Sequence, residues 1–221
     1  MISAIVFDFD GVLADSEPLH LTAYQEVLGP LGLSLPREEY YARYLGYDDE
    51  GVFRALWAAR GWPLTDAQIA ALIAEKTAAL ESIAGGNVLY PGAVACVERL
   101  AAEWPLGIAS GALRHEVETI LRRAGIDRHF RFIVAAGDTA ASKPAPDPYW
   151  RAAGLHGQSP SACVAIEDSR WGIESAKAAG LWCIAISHTY PVAELLEADA
   201  IVTSLDELTP ALIRSLDPIE R

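Results

Sequence analysis

The chain has 221 residues, 52% of them hydrophobic and 21% charged, with a formal net charge of −13 and a pI near 4.7. That composition suits a globular protein of one or two domains with a full core, not a disordered chain. The acidity argues against nucleic acid as a partner, although a few local cations and a metal can still serve a small phosphorylated ligand. No apolar run reaches the ~18 residues of a membrane span. The first apolar run is broken by Asp8 and follows no basic segment of the signal-peptide kind, so no membrane role is expected. Cys96, Cys163 and Cys183 lie far apart in apolar surroundings without metal-ligand spacing. They are expected to be small core residues in a reducing cytoplasm.

In chain order, residues 4–7 form an apolar strand that runs straight into Asp8-Phe9-Asp10-Gly11-Val12. Strand alternation sends Asp8 and Asp10 to the same side at the mouth of an apolar core. Two unpaired carboxylates there repel each other and lose hydration, and a divalent cation relieves both penalties. A carboxylate so held can also act as a nucleophile. A strand that merely exits into an acidic turn reads the same way.

No strand is expected between residues 16 and 87. Helical runs are predicted at 18–27, 37–44, 50–60 and 66–83, punctuated by Gly29-Pro30, Gly32, Gly61-Trp62-Pro63 and Gly85-Gly86. Ser16 is placed to N-cap the first helix, with Pro18 in its first turn, and Thr65 or Asp66 to start the last. The segment 16–87 therefore reads as an inserted helical domain, with hinges at 14–17 and 85–92. Residues 1–15 and 88–221 form the other domain. In that part, strands at 106–109, 132–135, 162–166, 182–186 and 200–202 are apolar on both faces, as parallel strands covered by helices are. Helices at 93–103, 114–124, 148–153 and 173–179 alternate with them, and a last helix is expected from Asp206-Glu207-Leu208. The alternation predicts an α/β fold, a doubly wound parallel sheet of Rossmann-like type.

Ligands bind beyond the carboxyl ends of strands in such sheets. Four polar sites fall there: Asp8 and Asp10, Ser110-Gly111, Lys143, and Glu167-Asp168-Ser169. Ser110 offers a hydroxyl, and the N–H groups of Gly111 and Ala112 precede a helix, which suits a phosphate oxygen and equally an unliganded N-cap. Lys143 can bind phosphate and offset the carboxylates, or be a solvated loop lysine. The stiff Pro144-Ala145-Pro146-Asp147-Pro148 run beside it favours a placed side chain. Glu167 and Asp168 are hard oxygen donors suited to Mg²⁺, and Asp168 could instead cap a helix.

Asp8-Phe9-Asp10-Gly11-Val12, Ser110-Gly111, Lys143-Pro144 and Glu167-Asp168-Ser169 follow the order of the four motifs of the haloacid dehalogenase superfamily. With Asp15-Ser16-Glu17-Pro18-Leu19-His20 and the proline run after Lys143, the chain resembles its β-phosphoglucomutase-like phosphatases and phosphomutases, which carry a helical (C1-type) cap. The resemblance spans residues 5 to about 187. It implies that Asp8 is the nucleophile that takes up the phosphoryl group, and that Asp10 is the general acid and then the base. It implies Mg²⁺ on the Asp8 carboxylate, the Asp10 carbonyl and Asp168, with Glu167 a ligand or the partner of one. Ser110, Gly111, Ala112 and Lys143 would hold the phosphoryl oxygens. Phosphoryl transfer needs charge neutralisation and in-line positioning above all, which this set supplies.

A helical cap can exclude water and select the leaving group. Cap-side contacts are expected from His20, from the Leu45-Gly46-Tyr47-Asp48-Asp49 turn with Gly46 at its centre, and from Lys76. Mutases of the group place basic residues at that turn. Here Asp48 and Asp49 would repel a second phosphate. The cap aromatics Tyr40, Tyr41, Tyr44, Trp57 and Trp62 are expected to be core. The expected function is a Mg²⁺-dependent phosphatase of a small phosphorylated metabolite, a sugar or polyol phosphate, acting as a monomer. The alternative is a sugar phosphomutase with the same Asp8 intermediate. A dehalogenase fits less well, because carbon–halogen displacement has no need of the acidic cluster.

Overall fold

Short apolar runs pair into a six-stranded parallel sheet in the computed structural model, which describes residues 1–45, 47–61, 64–83 and 88–216. Strand β1 (Ala4–Phe7) is followed by helices α1 (Glu17–Leu28), α2 (Arg37–Arg43), α3 (Asp49–Ala59) and α4 (Asp66–Ile83). Then come α5 (Ala93–Ala101), β2 (Leu106–Ala109), α6 (Arg114–Ala124), β3 (Phe130–Val134), α7 (Asp147–His156) and β4 (Cys163–Glu167). The chain finishes with α8 (Arg170–Ala178), β5 (Trp182–Ile186), β6 (Ala200–Val202) and α9 (Pro210–Ser215). It divides into two compact units, Met1–Asp15 with Val88–Arg221, and Ser16–Asn87.

In the first unit the strand order is β3-β2-β1-β4-β5-β6. The chain builds outward from β1 to β3, then crosses back to the other side of β1 for β4 to β6. The sheet therefore has its switch point at β1, and a crevice opens at the carboxyl ends there. Register puts Phe7 level with Ile108 of β2 and Ile166 of β4, so the residues that follow all three emerge at one end. Side-chain alternation gives two apolar layers. Ile5, Phe7, Ile108, Ile166, Ile184 and Ile186 fill one face. Ala4, Val6, Ala165, Cys183 and Ala185 line the other, where small residues meet Ala152, Ala153 and Ala176 of α7 and α8. Each fully buried Ile or Phe contributes about 1.5–3 kcal/mol of transfer free energy. Cys96, Cys163 and Cys183 are free thiols buried in these layers.

Strands β1, β2, β5 and β6 have the bounds read from the sequence, and three differences elsewhere have physical causes. Strand β3 begins at Phe130 instead of 132, because an edge strand tolerates the exposed Arg131. Strand β4 runs on to include Glu167, a charged residue that is nonetheless fully buried. The last helix starts at Pro210, capped by Thr209, while Leu205–Glu207 form only a 3₁₀ turn.

The second unit is helical among its described residues. Tyr24 packs edge-on to Phe53 at 5.4 Å and beside Tyr40 at 5.7 Å, and Phe53 meets Trp57 at 6.2 Å. Tyr40, Tyr44 and Trp57 are buried as expected of core aromatics. Tyr41 is only half-buried, its ring covered by the Arg37 guanidinium at 4.4 Å, and Trp62 lies outside the described residues. Thr65 and Gln68 bond reciprocally at the start of α4, a capping box. Ser16 does precede α1, but its side chain makes no capping bond, because its backbone is already helical. No described helix is long and apolar enough to cross a membrane.

Candidate active site

Asp8 leaves β1 with its amide bonded to the Ile166 carbonyl at 2.9 Å, which fixes the carboxylate beside the end of β4. Lys143 reaches it from the loop after β3: Nζ lies 2.6 Å from Asp8 Oδ1 and 2.6 Å from Glu167 Oε1. That loop is held by the Ser175 hydroxyl, which donates to the Ala145 carbonyl at 2.6 Å. The Tyr149 ring lies 5.0 Å beneath the ammonium.

Glu167 is wholly buried and its two oxygens are occupied. Oε1 accepts from Lys143 and from Tyr149 Oη at 2.8 Å. Oε2 accepts from the amides of Asp168 at 3.0 Å and Ser169 at 3.3 Å, and from Ser169 Oγ at 3.1 Å. Burial, with the charge of Glu167 behind it, holds the Tyr149 phenol far above its usual range, so it stays a donor. Ser169, not Asp168, caps α8, accepting from the Gly172 amide. That leaves the Asp168 carboxylate beside Asp8: ligand oxygens of Asp8, Glu167 and Asp168 all lie within 4.8 Å of one another.

Two glycines make this packing possible. A Cβ on Gly172 would sit 1.8 Å from Glu167 Oε1, and one on Gly11, whose φ is +77°, would sit 1.9 Å from Asp168 Oδ2. Gly172→Ala should therefore expel the Glu167 carboxylate from its donors. We expect a loss of about 1–3 kcal/mol in unfolding free energy and at least about tenfold in turnover. Denaturant titration and initial rates check this, and wild-type values for both would refute the role given to Gly172.

The charges are unequally compensated. Burial lifts Asp8 from 3.8 to about 8, with Lys143 pulling it down and Glu167 and Asp10 pushing it further up. Burial also opposes the charge on Lys143, yet Asp8 and Glu167 outweigh it and hold the ammonium above the ordinary lysine range. Several acids thus share Lys143, and Asp8 keeps its proton near neutrality unless more positive charge arrives.

Asp10 follows in the same turn, with the Ser110 hydroxyl 3.4 Å from Oδ2. Ser110 is not a helix cap. Helix α6 begins at Arg114, and the Ala112 amide folds back onto Ser110 Oγ at 3.0 Å. The Ala112 N–H is therefore engaged, whereas among the described residues none but its chain neighbours lies within 4 Å of the Cβ position of Gly111, which leaves room for an approaching group. Asp8, Asp10, Ser110, Gly111, Lys143, Glu167 and Asp168 all stand at the carboxyl end of the sheet. Tyr149, Gly172 and His188 belong to this end as well, and the sequence singles out neither Gly172 nor His188. The only hint of Tyr149 is its place after the proline run.

The helical unit holds its own polar cluster. Lys76, 1% exposed, bonds Asp49 at 2.9 Å and His20 Nδ1 at 2.8 Å, and Tyr24 Oη donates to Asp49 at 2.6 Å. Asp48 caps α3 through the Gly51 amide. The two acids expected to repel a second phosphate are thus both engaged, one paired with Lys76 and one serving a helix end. Gly46 lies outside the described residues.

Residues 2–180 match the family described as haloacid dehalogenase-like hydrolase. Fructose-1-phosphate phosphatase YqaB of Escherichia coli (strain K12) is 31% identical over 188 residues, covering 81% of this chain and 93% of that protein. Hexitol phosphatase B of the same strain is 31% identical over 215 residues, covering 94% and 95%. A crystal structure of CbbY from Rhodobacter sphaeroides in complex with phosphate matches with a TM-score of 0.84 at 31% identity, over 94% of this chain and 96% of that one.

Proposed function

The chain belongs to the haloacid dehalogenase-like hydrolases, and from that premise we propose that it is a metal-dependent phosphatase of small sugar or polyol phosphates, acting through a phosphoryl group carried on Asp8. The observation that carries the reading is the Asp8 carboxylate, buried at the switch point and held 2.6 Å from the Lys143 ammonium. The names of the relatives support sugar and polyol esters as the substrate class.

The residues fit a hard divalent cation such as Mg²⁺. Asp8 and Asp168 bring carboxylate oxygens together, and Asp8 needs added positive charge to ionise. Asp8, Asp168 and the Asp10 carbonyl would hold the ion. Glu167 is assigned instead to Lys143 and Tyr149, since five donors already surround its oxygens. A bound ion would neutralise charge on the carboxylates and on the phosphoryl oxygens.

In this reading an Asp8 oxygen attacks phosphorus and the bond to the ester oxygen breaks, with Asp10 delivering a proton to the departing alcohol. Asp10 then takes a proton from water, whose oxygen attacks phosphorus and frees Asp8 as a carboxylate with release of phosphate. Ser110, the Gly111 amide and Lys143 steady the phosphoryl oxygens throughout.

Metal binding should be pH-dependent. A ligand must be deprotonated, and burial lifts Asp8 to about 8. Mg²⁺ affinity should rise close to tenfold per pH unit below that value and level off above it. Calorimetry should show proton release at neutral pH, and an affinity flat from pH ~6 to ~8 would contradict the assignment. The function itself is tested by phosphate release from hexose, pentose and polyol monophosphates, with Mg²⁺ and with EDTA. Metal-dependent release confined to a few esters supports the proposal. Absence of release, with isomerisation of a hexose 1-phosphate primed by bisphosphate, would replace it with a mutase.

A further inference from the structure

We propose that His188 is a positioning residue for the Asp10 loop, a role that rests on the phosphatase reading above. His188 stands just beyond β5, at the same end of the sheet as Asp8, and nothing in its sequence context marks it. Its Nδ1 lies 3.0 Å from the Gly11 carbonyl, 177 residues away in the chain. Since a carbonyl only accepts, Nδ1 carries the hydrogen. Burial holds the ring below the usual histidine range, so it is a neutral imidazole with one fixed tautomer.

The ring is held on a second side. It stacks on Tyr90, with centroids 3.9 Å apart and planes 28° from parallel. Tyr90 is itself tied to the same loop: its amide donates to the Leu13 carbonyl at 2.9 Å, and its hydroxyl lies 3.4 Å from Asp15 Oδ1. The Ser187 amide bonds the Val202 carbonyl at 3.0 Å, which anchors the segment that presents His188 to the sheet.

On the other side of the bond, the Gly11 amide donates to the Ala14 carbonyl at 2.8 Å. Both polar groups of Gly11 are therefore fixed, one from inside the loop and one by His188. Its α-carbon is wedged between Asp168 and Thr189, whose Oγ1 would lie 2.6 Å from an added Cβ. Asp10 is the residue before this clamp. A general acid must hold hydrogen-bond distance to the leaving oxygen, and about 1 Å of misplacement can lower turnover about 10²-fold. Fixing Gly11 fixes where Asp10 starts.

Two variants test this. His188→Phe keeps a ring to stack on Tyr90 but cannot donate. His188→Asn loses the stack but places an amide N–H near the Nδ1 position. For the ester that the wild type hydrolyses best, His188→Phe should lower kcat by about 10–100-fold with KM within about threefold, and His188→Asn should recover most of the loss. Hydrogen exchange over residues 9–14 should quicken in His188→Phe and return toward wild type in His188→Asn. A kcat for His188→Phe within about twofold of wild type, or no recovery in His188→Asn, overturns the proposal. If the wild type hydrolyses no ester, the phosphatase reading fails by itself. The exchange data then still decide the clamp, and unchanged exchange in His188→Phe overturns it. Should His188→Phe not fold, exchange in His188→Asn near wild-type rates sustains the donor role, and rates as fast as an unclamped loop remove it.

Discussion

Asp8→Asn leaves a folded protein whose turnover has fallen by at least about 10³-fold. The loss is large because the substitution removes the attacking oxygen itself, not a contact that tunes it. Stability should hardly suffer. In the metal-free protein Asp8 is already driven toward its neutral form, lifted to about 8 by burial, so an isosteric neutral amide suits the site. The substituted amide can still accept from the Lys143 ammonium through its carbonyl oxygen. Thermal unfolding near the wild-type temperature, together with initial rates on the preferred ester, checks both halves. Near-normal turnover would remove Asp8 as nucleophile. Lost turnover with lost structure would leave the loss unassigned, and phosphate binding by the folded fraction then separates the two.

Lys143→Met acts in the opposite way, costing stability as well as activity. The Lys143 side chain is 13% exposed, and its ammonium faces the Asp8 side chain, 10% exposed, and that of Glu167, fully buried. Removing one member of a buried charge group strands the rest, at a cost of about 3–5 kcal/mol. The pH dependence follows from Asp8. Its native pKa lies above its unfolded value of 3.8, so between those values the native state binds more protons than the unfolded chain. Stability from this group is therefore present at low pH and lost as pH rises toward about 8. Without Lys143, which pulls Asp8 down, the loss extends to higher pH. We expect metal-free Lys143→Met to be least stable on the alkaline side and to regain stability on acidification. Adding Glu167→Gln should restore part of the loss, since it removes a stranded charge. Urea titrations from acid to alkaline pH in EDTA read all three effects. A deficit that is independent of pH and untouched by Glu167→Gln would mean lost packing, not lost charge.

What was legible in the sequence follows from how each feature is encoded. Strands β1, β2, β5 and β6 have the bounds expected, because runs apolar on both faces and ended by turn residues have few other uses. The carboxyl-end rule then placed Asp8, Ser110, Lys143 and Glu167-Asp168 together. Helix α8 was expected from 173 and starts at Arg170, since Gly172 reads as a break in a helix. It is there because the Glu167 carboxylate occupies the space of its side chain. Gly172 and His188 were invisible for different reasons: Gly172 matters through the side chain it lacks beside Glu167, and His188 through Gly11, 177 residues away, and no local spacing reports either. The polar groups of the helical unit misled in a different way. Asp49 and Lys76 lie 27 residues apart and read as separate cap-side contacts, yet they pair with each other.

The most direct test of the central claim is a single-turnover reaction quenched in acid and mapped by peptide mass. The proposed chemistry predicts one phosphoryl group on the peptide that contains Asp8, transient in the wild type and absent from Asp8→Asn. Release of phosphate at the wild-type rate with no labelled Asp8 at any time point, or with the label on another residue, would contradict it.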